Sequence, residues 1–312
     1  MKKSNLFVIS GPTGSGKTGI VSELNPEIFE VISFDSRQIY QELDIGTAKP
    51  TLKERECIEH HLVDFLSPSE KINANIFVEL ANDSLNKILL KNKIPVIVCG
   101  TGFYLKAFLY GMYPVPSISE KIKNQIESMA KSEKWDLLKE LDFEASKNLS
   151  QNDEYRIIRA LEVNLSGVRW SELKNTREEG VLNRDDLQIT GFFLDEDRQT
   201  LYNRINKRAE EMIQNGILDE TRKVLKKYGE NCPAFNTLGY NFTLEFIRGK
   251  LDIDSLRENL KKSHRNYAKK QITWFRKEKI LKPVSKESVL DYLKKYKTGK
   301  ICQPETIFKT IY

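Results

Sequence analysis

Four short runs of nearly unbroken apolar residues, at 6–10, 30–34, 94–99 and 188–194, stand out from a polar background, and each predicts a buried strand. The first runs into a glycine-rich turn, and residues 18–24 then have helical composition. Strand, loop, helix and strand in that order open a parallel α/β sheet. The third run ends in Gly100-Thr101-Gly102, and its Pro95 suits a strand start. A segment of different character begins at Pro114-Val115-Pro116-Ser117 and stays rich in Lys, Glu, Leu and Ala to about residue 172. It predicts several short helices inserted into the sheet domain. From Arg198 the pattern is helical almost to the end, with Gly216, Gly229 and Gly249 as stops. The expected organisation is a core of residues 1–114 and 187–312, with a helical insertion at 115–186. No internal repeat or low-complexity tract interrupts it.

With 39% hydrophobic and 30% charged residues in 312, the chain can bury a substantial core and lacks the composition of disorder. Its first apolar run breaks at Gly11-Pro12, too early for a secretory leader, and no stretch approaches the roughly 20 apolar residues of a membrane span. Cys57, Cys99, Cys232 and Cys302 are far apart and form no C-x-x-C pair, which argues against a disulfide framework or a zinc site. A monomer in a reducing cytoplasm is the expectation. The net charge of +6 is unevenly spread: residues 255–312 hold 16 Lys/Arg against 5 Asp/Glu, which leaves the first 254 residues at −5. Such a basic end suits either a polyanionic partner such as nucleic acid or a solvated helical face.

Gly11-Pro12-Thr13-Gly14-Ser15-Gly16-Lys17-Thr18 matches G-x-x-x-x-G-K-[ST] between a predicted strand and a predicted helix, the setting the motif requires. The glycines let backbone N–H groups turn around phosphate oxygens, the helix start adds positive potential, Lys17 supplies a charge and Thr18 a hydroxyl for Mg²⁺. This pattern specifies phosphate and not ATP. A diphosphate of any organic group fits the same cradle.

Asp35, at the end of the second strand, lies on the sheet edge where α/β proteins place their ligands. Position alone leaves three roles open: general base, metal ligand, or helix N-cap.

The motifs go further than a generic phosphate loop. The loop, then Asp35-Ser36-Arg37-Gln38-Ile39-Tyr40, Asp44-Ile-Gly-Thr-Ala-Lys-Pro50, His60-His-Leu-Val-Asp64, Gly100-Thr-Gly-Phe-Tyr-Leu105, Asn152-Asp-x-x-Arg156-x-x-Arg159, Arg204-x-x-x-Arg208-x-x-x-Met212, Gly239-Tyr240 and Ala268-Lys-Lys-Gln-Ile-Thr-Trp-Phe-Arg276 resemble, in order, the tRNA dimethylallyltransferases. That resemblance implies a P-loop NTPase-like parallel sheet flanked by helices, with an all-helical insertion that binds tRNA. It implies transfer of a dimethylallyl group from dimethylallyl diphosphate to the N6 amine of an adenine beside the anticodon, at position 37 of tRNAs reading codons that start with U. The base must be swung out of its stack to reach a buried electrophile.

By the same resemblance Asp35 is the general base, Thr13 contacts the phosphates and Arg208 neutralises the departing diphosphate held by residues 11–18 with Mg²⁺. Asp35, Ser36, Arg37, Gln38 and Thr101 read the flipped nucleotide. Lys123, Tyr155, Arg156, Ile157, Ile158, Arg159, Lys269, Gln271 and Arg276 are implied contacts to the anticodon stem-loop. Read without the family, Arg156 and Arg159 suit a solvated helix face, and Trp274 or Phe275 suits the core. The chain departs from the family at Cys99 (usually glycine), Lys270 (often arginine) and Asn241 (usually basic), and it carries no Cys/His finger after the core, which suggests a bacterial type. Three other readings remain: an adenylate isopentenyltransferase acting on free AMP or ATP, a P-loop kinase, and a nucleotide-gated RNA-binding switch.

Overall fold

The computed structural model describes residues 3–175 and 179–296. The chain forms two compact units, one of the residues up to Phe108 with those from Arg184 onward, the other Leu109–Asn183. The insertion thus begins before the proline linker read from the sequence. At Gly180 the backbone runs so close to the Leu109 carbonyl and the Gly111 N–H that no side chain fits, joining the two ends of the insertion ahead of Pro114.

The first unit is built on six parallel strands, β1 (Ser4–Ser10), β2 (Phe29–Phe34), β3 (His60–His61), β4 (Ile94–Cys99), β5 (Leu187–Leu194) and β6 (Leu281–Val284), in the order β3-β2-β4-β1-β5-β6. Between the early strands lie α1 (Lys17–Val21), α2 (Leu52–Cys57), α3 (Ala74–Leu90) and α4 (Gly102–Tyr110). The second unit holds α5 (Glu120–Glu127), α6 (Lys131–Leu141), α7 (Phe143–Asn148) and α8 (Glu154–Leu165). After β5 come α9 (Arg198–Gln214), α10 (Ile217–Tyr228), α11 (Tyr240–Ile247) and α12 (Ile253–Phe275), and α13 (Lys286–Leu293) follows β6.

Helices cover both faces of a parallel sheet, so its strands must be apolar on both sides, and β2 is buried at every position. On one face Phe7, Ile9 and Phe192 pack with Ile20 and Val21 of α1 and with Val289 and Tyr292 of α13. On the other Phe34 meets Phe77 of α3 and Phe108 of α4 edge-on. The second unit has its own core of Ile126, Leu138, Ala145, Ile157, Ala160 and Leu161.

The four strands read from the sequence are present. Helix α1 stops at Val21 rather than 24, since Gly19 weakens it and Asn25-Pro26 ends the turn beyond. β6 lies in a stretch expected to be helical. Its Pro283 lacks an N–H, and an edge strand tolerates that.

Candidate active site

Register brings the functional residues together. Phe34 pairs with Cys99, Cys99 with Ser10, and Ser10 with Phe193, so Asp35, Gly100 and Gly11 leave the sheet side by side at its carboxyl edge, next to the last residues of β5. β1 is central there, with the chain continuing to strands on both sides of it, and such a reversal is where open α/β sheets form their ligand crevice.

In the loop after β1, Gly14 and Gly16 take φ of 81° and 87°, a left-handed turn that leads into the N-terminus of α1. The Lys17 ammonium donates to the Gly11 and Pro12 carbonyls at 2.7 and 2.9 Å. Burial pulls its pKa down to about 8, with Asp35 and Cys99 raising it and Arg208 lowering it further. Thr18 is exposed, while the Ser15 hydroxyl is buried without a partner inside the loop. Arg208, on α9, donates to the Thr13 hydroxyl at 3.3 Å.

The loop is braced from behind by α12. One stripe of that helix, Leu256, Leu260, His264, Ala268, Gln271 and Phe275, is buried. Gln271 accepts from the Thr13 N–H at 2.8 Å and donates to the Gly100 carbonyl at 2.8 Å. Its amide thereby ties the phosphate loop to the Gly100 turn, a supporting role beside the tRNA contact expected of this side chain. Tyr267 donates to the same carbonyl at 3.3 Å, a role not read from the sequence. Burial pushes the Tyr267 phenol and the Cys99 thiol well above their ordinary values, so both stay protonated. His264 is held down to about 4 by burial and by Arg208, hence neutral.

Asp35 uses its two oxygens differently. One accepts from the backbone N–H groups of Arg37 and Gln38, at 2.8 and 3.4 Å, closing an Asx turn; no helix starts here, so the helix N-cap role is not the one it takes. The other faces Gly100, where an added Cβ would stand 2.9 Å from it. Lys17 and Arg208 supply the positive field around this carboxylate. The following residues are locked in place: the Ser36 N–H donates to the Thr101 hydroxyl at 3.0 Å, and the Gln38 amide accepts from Ser33 and donates to the Ala48 carbonyl, each at 3.1 Å.

A buried carboxylate that the sequence reading missed holds the loop opposite. Glu220 on α10 accepts from the N–H groups of Asp44, Ile45 and Gly46 and from the Tyr240 hydroxyl. Lys49, also buried, pairs with Asp44 and Asp64, and Arg55 with Asp64. The Gly239-Tyr240 and Asp44–Pro50 motifs are the two halves of this clamp, and their joint presence was the only signal available. A cavity of about 430 Å³ opens beside it between Ile45, Leu52, Arg208 and Met212. A smaller one, about 50 Å³, is bounded by Lys17, Thr18, Ser33, Asp35, Gln38 and Gly100.

The remaining expected RNA contacts are surface residues with two exceptions. Lys269 and Arg276 are exposed, the latter paired with Asp195 at 2.9 Å. In the second unit Lys123, Tyr155 and Arg156 are exposed, and Arg159 pairs with Glu162. Ile157, however, is only 1% exposed and belongs to that unit's core, and half-buried Ile158 packs against it. Phe275 is fully buried and Trp274 half-buried.

A glycine loop with its lysine, an acid at the same sheet edge two strands away and an arginine facing both define a P-loop-like α/β protein. The chain belongs to the IPP transferase family, whose model matches residues 38–278. It is 47% identical over 293 residues to the tRNA dimethylallyltransferase of Leptospira interrogans, covering 94% of this chain and 99% of that protein. Among solved structures it resembles the tRNA isopentenylpyrophosphate transferase of Bacillus halodurans, with 28% identity, a TM-score of 0.69 and coverage of 94% of this chain and 95% of that one. A eukaryotic dimethylallyltransferase crystallised acting on tRNA superposes with a TM-score of 0.78 at 25% identity, over 93% of this chain and 76% of that chain.

Proposed function

We propose that this protein transfers the dimethylallyl group of dimethylallyl diphosphate to the exocyclic amine of an adenine in tRNA, and does so as a cytoplasmic monomer. The observation that carries the reading is the level exit of Gly11, Asp35 and Gly100 from three adjacent strands, with Lys17 and Arg208 on the phosphate side. A diphosphate gripped by the loop gives Lys17 charged acceptors in place of the Gly11 and Pro12 carbonyls. As the allylic C–O bond breaks, charge grows on the leaving diphosphate, and Lys17, Arg208 and the loop amides neutralise it. The adenine amine is a weak nucleophile. Asp35 takes its proton as the C–N bond forms, with the oxygen that faces Gly100. Ser36, Arg37, Gln38 and Thr101 hold the base, Gln38 matching an adenine edge with one donor and one acceptor.

Magnesium fits the oxygen donors present: the exposed Thr18 hydroxyl together with donor phosphates forms the hard ligand set Mg²⁺ prefers, and the ion would add charge neutralisation at the diphosphate. Lys123, Tyr155, Arg156 and Arg159 on one unit and Lys269 and Arg276 on the other are the tRNA contacts of this reading.

The test incubates the purified protein with Mg²⁺, dimethylallyl diphosphate and, separately, unmodified tRNA, AMP and ATP, and measures prenylated nucleoside by mass. Product is expected on tRNA alone, reduced about 10²- to 10⁴-fold in Asp35→Ala. Prenyl-AMP in place of prenyl-tRNA, or full activity in Asp35→Ala, would overturn the reading.

A further inference from the structure

Gly16 is a glycine because its φ of 87° demands one, but Gly19, three residues on inside α1, has no such requirement. A helix interior disfavours glycine, so its presence needs another cause. The cause lies in α13. The Lys286 side chain runs along the groove left by these two positions without side chains: its Cδ stands 3.8 Å from a Cβ built on Gly16, and its ammonium 3.0 Å from one built on Gly19. The carboxylate it pairs with is weakly placed, Glu23 at 3.9 Å, and Glu23 lies nearer to Lys294 at 3.4 Å.

We propose that Lys286 is a further diphosphate-binding residue, a second lysine that reaches the phosphate loop from outside and meets the donor at the exposed N-terminus of α1. Its Cδ already lies beside Gly16, so rotation about the Cγ–Cδ and Cδ–Cε bonds carries the ammonium from Glu23 toward the loop mouth. Lys17 and Arg208 enclose the diphosphate from the buried side. Lys286 closes the open side, and Gly19 keeps its path clear. The proposal rests on the reading of the loop as a diphosphate site.

The test measures binding of inorganic pyrophosphate with Mg²⁺ by calorimetry, and steady-state prenylation, in wild type, Lys286→Met and Lys286→Arg. Lys286→Met should weaken pyrophosphate binding and raise the donor KM about three- to fivefold, as loss of one partly exposed ion pair does, with kcat and the KM for tRNA unchanged. Lys286→Arg should restore both, and the difference should shrink at high salt. A lysine that merely props α1 would lower the melting temperature and leave pyrophosphate affinity alone, and that result would overturn the proposal. Absence of pyrophosphate binding in the wild type would remove the loop reading and this inference together, whereas equal affinity in wild type and Lys286→Met would remove Lys286 alone.

Discussion

Single atoms at the sheet edge set the limits of this site. Gly100 leaves no room for a methyl group next to Asp35, so Gly100→Ala should displace the carboxylate and cut kcat well over tenfold while donor binding survives; single-turnover prenylation and pyrophosphate calorimetry together check it. Lys17 sets a pH limit. With its pKa at about 8 in the free protein, the charged form prevails below that pH and is lost above it. The donor kcat/KM should therefore fall as pH rises through about 8, and Lys17→Met, slower throughout, should lack that limb. Gln271→Leu leaves the Thr13 N–H without its partner, while the Gly100 carbonyl keeps the Tyr267 hydroxyl, so the cost should be about 1–3 kcal/mol for the one orphaned donor, measurable by denaturant unfolding. Asp35 and the loop were legible in the sequence because a strand end followed by a glycine run or an acid is a local signal. Gln271 and Glu220 were not, because what assigns them is a partner more than 170 residues away.

Among the elements, the strands were read well where length and apolarity coincided and missed where they did not. β3 has two residues, too few for any period, and β6 sits among lysines with a proline inside. The pair β2 and β3 carries a polar cluster in its place: Glu30 accepts from His61 at 2.9 Å and is held by Lys91 and Lys93, each at 3.0 Å. Both histidines of β3 are held within the structure, His61 by Glu30 and His60 by the Ile58 carbonyl. Burial pushes the Glu30 carboxyl up, but the bonds from His61, Lys91 and Lys93 outweigh it and bring it down to about 2. A depressed carboxyl contributes stability above its unfolded pKa and loses it as pH falls toward the folded one. Between pH 5 and pH 2 the wild type should lose more stability than Glu30→Gln, by chemical denaturation at each pH.

For the whole molecule, the uneven charge read from the sequence bears on binding. If the basic segment from residue 255 onward lies on RNA, affinity for tRNA should fall linearly on a log–log plot against salt, and Lys269→Ala should reduce the slope by about one. A flat slope would contradict that placement. A change of composition at Pro114 predicts an inserted segment, and the second unit runs from Leu109 to Asn183, where the Gly180 and Leu109 backbones meet across residues distant in sequence.

Central strand β1 pairs with β4 on one side and β5 on the other, and β5 is made only after the whole insertion has been translated. A ribosome that has released the first 180 residues therefore holds a nascent sheet with an unprotected hydrophobic margin, the kind that recruits other chains. Fragments ending there should precipitate, whereas the helical insertion, expressed alone with its own apolar centre, should stay in solution.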